Sequence, residues 1–147
     1  MKNRFAVLLS LAAISALAVA GCGGSDENSD APTKAEFITQ ADEICQTASD
    51  NLTEAQSELT EDATKDDYIA FISDTYLPEL KDEVSKIKDL TPPDGDEGTI
   101  DDLTSSLDDG IEEMESDPGA LLEEGSDPLD EATTQAQDYG LKVCGQG

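Results

Sequence analysis

The chain lacks histidine and tryptophan altogether, carries only eight lysines and arginines, and has just three phenylalanines and three tyrosines. Without histidine it loses the commonest general base, the Ser–His and Cys–His nucleophile pairs, and the commonest metal ligand. Carboxylates alone would have to carry any catalysis, so no catalytic residue, metal site or cofactor is assigned and the chain does not read as an enzyme. Against so few cations stand 35 aspartates and glutamates, leaving a formal net charge of −27. A surface this negative repels nucleic acid and anionic membrane, which leaves cations, basic proteins or nothing charge-specific as partners. No stretch alternates apolar and polar residues with a period of two, which argues against strands. A Cys-x-x-Cys arrangement is also absent, so redox and zinc readings of the three cysteines have no support. At 147 residues one domain is expected.

What is present begins with a targeting pattern. Lys2 and Arg4 precede an apolar stretch from Phe5 to Ala20, interrupted only by Ser10 and Ser15 and shorter than the ~20 residues that span a bilayer. Val19-Ala20-Gly21-Cys22 closes it, followed at once by Gly23-Gly24-Ser25-Asp26. Those four closing residues resemble the bacterial lipobox. The resemblance covers only residues 1–22. It implies a signal peptide over 1–21, cleavage between Gly21 and Cys22, and acyl chains such as palmitate on Cys22. Two or three chains, at ~0.8 kcal/mol per buried CH₂, anchor a protein stably where one would not. An uncleaved anchor helix and ordinary secretion after an Ala-x-Ala-like site at Ala16, Ala18 or Ala20 are the competing readings. Removing residues 1–21 takes Lys2 and Arg4 and no acid, so the charge becomes −29.

Three cysteines in an exported chain leave one unpaired. Lipidation of Cys22 accounts for the odd one and leaves Cys45 and Cys144 to form a disulfide in an oxidising compartment. Closing a loop of that length contributes about 4–5 kcal/mol in the chain-entropy model. Residues 22–32 have no core-forming side chain and read as a lipidated flexible tether, whose free part averages about 17 Å end to end.

Residues 33–147 form the folded domain, and their pattern is helical. Thr33-Lys34-Ala35-Glu36 matches a capping box, after which Phe37, Ala41, Ile44, Ala48, Leu52, Ala55 and Leu59 recur at steps of three and four. Thr64 and Asp67 start a second helix with the stripe Ile69, Ile72, Tyr76, Leu80, Val84 and Ile87, widened by Phe71 and Leu77. Pro78 lies inside it and predicts a kink. Leu90-Thr91-Pro92-Pro93 ends it. A third helix carries Ile100, Leu103, Leu107, Ile111 and Met114, with Gly110 weakening it. Asp117-Pro118 and Asp127-Pro128 read as N-caps with proline at the first helical position. The first begins a short helical turn stopped by Gly125. The second begins a fourth helix with Leu129, Ala132, Ala136, Tyr139 and Val143 inward. The expected fold is all-α, an up-down-up-down bundle of four main helices plus a short helical turn, stapled by one disulfide. With Cys144 on the fourth helix, a Cys45–Cys144 bond sets the start of that helix level with the end of the first.

The exported part resembles uncharacterised small lipoproteins and secreted helical proteins of actinobacteria. The resemblance rests on Phe37-Ile38-x-x-Ala41-Asp42-x-Ile44-Cys45, Asp117-Pro118, and Tyr139-Gly140-Leu141-x-x-Cys144-Gly145. It spans most of residues 33–147 and implies a helical fold with paired cysteines. It brings no catalytic or ligand residue.

Acidic clusters are the obvious candidates for chemistry. Asp94-Gly95-Asp96-Glu97-Gly98-Thr99-Ile100 resembles part of an EF-hand loop, but the first ligand would fall near Pro92-Pro93 and Thr104 stands where the bidentate Glu belongs. What remains is weak divalent binding by Asp94, Asp96, Glu97, Asp101 and Asp102, or simply a polar turn and helix start. The run Asp108, Asp109, Glu112, Glu113 and Glu115, with Glu123 and Glu124 beyond, reads as a solvated face. Tyr68, Phe71, Tyr76 and Tyr139 either line a pocket between helices or fill a core with their hydroxyls at its rim. The leading expectation is a membrane-anchored, acidic, non-enzymatic envelope lipoprotein on the extracytoplasmic side that binds an envelope protein or a small ligand. The alternative is a low-affinity divalent-cation-binding lipoprotein. Intact mass spectrometry of the membrane fraction should find a chain beginning at Cys22 with added acyl mass; an unacylated or uncleaved chain would end the lipoprotein reading.

Overall fold

In the computed structural model residues 31–146, apart from 124 and 126, are described; the expected signal peptide over 1–21, its cleavage site between Gly21 and Cys22, and the expected lipidation of Cys22 lie outside the described residues. Thr33 opens α1 (Lys34–Gln56) with the predicted capping box: its hydroxyl accepts from the Glu36 amide, and the Glu36 carboxylate accepts from the Thr33 amide at 2.8 Å. Thr64 and Asp67 do the same for α2 (Lys65–Phe71). The backbone then passes through a π turn, Ile72–Tyr76, into α3 (Leu77–Lys88). These three segments are the second helix of the sequence. Pro78 is accommodated by that π turn, in which the Leu77 amide reaches back to the Ile72 carbonyl. The wider turn comes just where proline cannot supply an amide to the regular ladder.

After a turn through Gly95, whose φ is +88°, α4 (Glu97–Ser116) forms the third helix. A short 3-10 turn at Ala120–Leu122 follows, as expected. The Asp-Pro phrases act differently from the sequence reading. Asp117 caps the end of α4 and its carboxylate accepts from the Gly119 amide at 3.0 Å. Asp127 accepts from the Leu129 amide at 3.0 Å in the same manner. Both are Asx turns, which satisfy an amide two residues on. Pro128 therefore sits in the turn, and α5 begins only at Asp130 (Asp130–Tyr139).

The helix ends earlier than its apolar stripe suggested. Gly140 takes a φ of +104°, its amide bonds to the Gln137 carbonyl, and the Leu141 amide bonds back to the Ala136 carbonyl. This is a Schellman ending, sealed by the apolar contact of Leu141 with the core around Ala136. Val143 and Cys144 consequently lie on a tail that turns back, closing with a 3-10 turn at Cys144–Gln146. The Cys45–Cys144 bond forms, with a Cα–Cα distance of 5.2 Å, but it joins α1 to this tail rather than to a fourth helix.

Neighbouring helices run antiparallel. Lys81 pairs with Glu115 and Lys88 with Asp108, so α3 and α4 count in opposite directions along their seam. The same holds for α4 and α5, where Asp96 meets Tyr139 and Gly110 meets Pro128. Four packed helices and one disulfide make the expected bundle. Among the described residues no helix is long and apolar enough to cross a membrane.

Gly110 is required by this packing. A β-carbon there would lie 2.5 Å from the Pro128 carbonyl oxygen and 2.8 Å from Leu129 Cδ2. In an isolated helix Gly→Ala stabilises by about 1 kcal/mol. Here Gly110→Ala should destabilise by about 1–3 kcal/mol, the cost of overpacking, in denaturant unfolding. A variant as stable as the parent would contradict the close approach.

Candidate functional site: a cavity beneath the disulfide

The core is divided. Phe37, Ala41, Ile100, Leu103, Ala136, Tyr139 and Leu141 pack together around the start of α1. Ile72, Leu77, Leu80, Val84, Ile111, Met114 and Leu129 form a second cluster around α3 and α4. Facing both is a cavity of about 500 Å³. Its wall is contributed by the later half of α1 (Ser49, Leu52), the π turn and α3 (Tyr76, Leu80, Glu83), and α5 with its tail (Ala132, Val143). The stripe of α1 registers this opening. Phe37, Ala41, Cys45 and Ala48 are buried, whereas Leu52, Ala55 and Leu59 are only half-buried.

Two local features keep the space open. The small side chains of Ala132 and Ala136 on α5 leave room where leucines would fill it. The π turn adds a residue to one turn, which rotates the upstream segment by about 100° relative to a regular helix and brings Phe71 to the wall shared with Leu80 and Glu83.

The tail that bounds the cavity is clamped onto α1. The Asp42 carboxylate accepts from the amides of Lys142 at 3.0 Å and Val143 at 2.9 Å, with Cys144 at 3.4 Å. Gln137 adds a bond of its side-chain amide to the Gly145 carbonyl at 2.6 Å. Directly below the disulfide lies Glu83, one of whose oxygens is within 4.8 Å of both sulfurs. Those sulfurs are bonded to each other, so the carboxylate is the one free ligand of that trio.

Burial first, and the neighbouring Glu79 charge second, push the Glu83 carboxyl up to about 7, against a smaller opposing pull from Lys86. Tyr76 is pushed up to about 12, chiefly by burial and then by the Glu83 and Asp127 charges. The cavity thus presents a mainly apolar wall with one carboxyl, one phenol and the neutral polar side chains of Ser49, Thr53, Gln56, Thr133 and Gln146.

Of the aromatics named from sequence, Phe71 and Tyr76 line the cavity. Tyr68 is 37 % exposed and stands apart from it. Tyr139 belongs to the other core, edge-on to Phe37 at 5.9 Å between ring centroids, under the Lys34 ammonium, and donating to Asp96 at 2.8 Å. Asp96 therefore has a structural task. Among the described residues, the acidic clusters bring no three carboxylates together at metal-ligand spacing. Sequence reasoning missed Glu83, although the signal was there: stepping four, three and four from Tyr76 lands on Leu80, Glu83 and Ile87, an acid inside an apolar stripe. No protein-family model, curated protein or solved structure matches the chain.

A carboxyl with a raised folded pKa binds its proton more tightly in the folded than in the unfolded chain. Its contribution to stability is therefore present below the unfolded value of 4.5 and is lost as pH rises through about 7. Glu83→Gln, neutral throughout, should melt higher than the parent at pH 8, by an amount on the order of 2 kcal/mol after allowing for the solvent that still reaches the site. At pH 4.5 the gap should close. Thermal melts of both proteins at the two pH values decide it, and a gap independent of pH would rule out a buried carboxyl.

Proposed function

We propose that this protein is an acylated, non-enzymatic binding lipoprotein: lipid on Cys22 holds it to the outer side of the cell membrane, and the helical domain binds a small, mainly apolar ligand. The observation that carries the binding half is the cavity of about 500 Å³ between α1, α3 and α5. That size falls within the range of small-molecule sites, which are apolar with a few convergent polar groups. Tyr76 and Glu83 are such groups here. The tether would keep the domain within reach of the bilayer, where apolar molecules partition, while the acidic surface would hold it off anionic headgroups.

The processing half rests on residues 1–22 alone, and intact mass spectrometry of the membrane fraction tests it. The binding half is tested with a neutral solvatochromic dye such as Nile red. The folded domain should bind it saturably at one site. Leu52→Trp, at a half-buried position on the cavity wall, should weaken binding at least ten-fold while circular dichroism stays unchanged. Absence of saturable binding, or equal binding by the filled variant, would remove the ligand reading and favour a partner that uses the outer surface.

A further inference from the structure

The wall of the cavity is asymmetric in charge. It carries Glu83 and no lysine or arginine. The acids around Glu83 have partners of their own: Glu79 accepts from the Asn51 side chain at 2.9 Å, and Asp82 pairs with Lys86. Glu83 has no hydrogen bond or ion pair among the described residues. It points between α1 and the tail, toward the disulfide, with Leu52, Leu80 and Val143 lining the same space.

A carboxylate in such a place accepts hydrogen bonds and donates none. An anionic ligand would meet repulsion from it and from the protein's whole field, a formal −27. A neutral hydroxyl would form an ordinary hydrogen bond. A protonated amine would form a charge-assisted one, roughly twice as strong, in surroundings that screen it poorly. Resting on the ligand-binding reading above, we propose that the cavity takes a cationic amphiphile, an aliphatic chain ending in a protonated amine, with the ammonium on Glu83 and the chain against Leu52, Leu80 and Val143.

The test uses three ligands of equal chain length, decylamine, decanol and decanoate, each displacing Nile red from the cavity below its micelle concentration. Decylamine should bind about ten-fold more tightly than decanol, and decanoate more weakly than either. Glu83→Gln should abolish the preference for the amine over the alcohol, while Glu83→Asp, which keeps the charge, should retain most of it. Because Glu83→Gln removes one of 35 acids, amine held merely by the acidic surface would survive it; that background should also fade in moderate salt. Equal affinities for amine and alcohol, or a preference unchanged in Glu83→Gln, would overturn the amine assignment and leave the cavity reading standing. Failure of the dye to bind at all, with failure of all three ligands in direct calorimetry, would overturn both.

Discussion

The fold depends on how one carboxylate and one sulfur on α1 hold the end of the chain. Asp42 and Cys45 lie about a turn apart, and between them they receive the amides of residues 142–144 and the sulfur of Cys144. Chain that has just left a helix presents free amides, and a carboxylate set among them satisfies several at once. The disulfide makes that contact permanent across a sequence separation of 99 residues. α1 packs mainly against α3, α3 against α4, and α4 against α5. The clamped tail supplies the closure from α5 back to α1.

Closing the bundle through a tail rather than a helix has a consequence for its interior. Helices that meet directly interdigitate along their length and leave little space. Here the early half of α1 is sealed by Phe37, Ala41 and Cys45, while its later half faces the tail and the small residues of α5 across an opening. The π turn acts on the opposite wall. Proline at position 78 disturbs the regular ladder, the extra residue resets the phase of the helix, and Phe71 joins the face of Leu80 and Glu83.

Much of this was legible in the residues. The four helices and both capping boxes follow from spacing and capping chemistry, the Cys45–Cys144 pair from setting Cys22 aside, and the structure has the helices, the boxes and the bond. Two of the three phrases quoted for the resemblance are the two halves of one junction: Phe37 meets Tyr139, Ile38 lies beside Gly140, Asp42 receives the tail, and Cys45 bonds Cys144. What spacing could not separate was stripe from tail. Val143 continues the rhythm of Ala132, Ala136 and Tyr139, yet glycine followed by leucine at 140–141 is a helix ending and takes precedence. The Asp-Pro phrases were ambiguous for a related reason, since an aspartate can satisfy an amide equally well in a turn or at a helix start. Glu83 was passed over because an acid in an acidic chain carries no signal by count. Its position in the stripe, not its type, distinguishes it.

That position bears on what the site is for. The chain has few cations, and three of its lysines, Lys81, Lys86 and Lys88, stand on α3. Two of them cross to α4, which holds eight acids and no basic residue, and relieve repulsion along that seam. Such exposed pairs are individually weak, so their value lies in the local balance of charge. Lys86 pairs with Asp82 on its own helix and pulls only weakly on Glu83, which forms no direct ion pair among the described residues. A leucine at 83 would extend the apolar stripe without the desolvation cost that a buried, unpaired carboxylate carries. An acid at such a place costs stability when ionised, adjoins an open apolar space and lies under the bond that closes the bundle. Perturbed, unpaired groups of this kind concentrate where proteins meet their ligands. On the proposal that the cavity takes a cationic amphiphile, that cost would be offset when the guest's ammonium reaches Glu83.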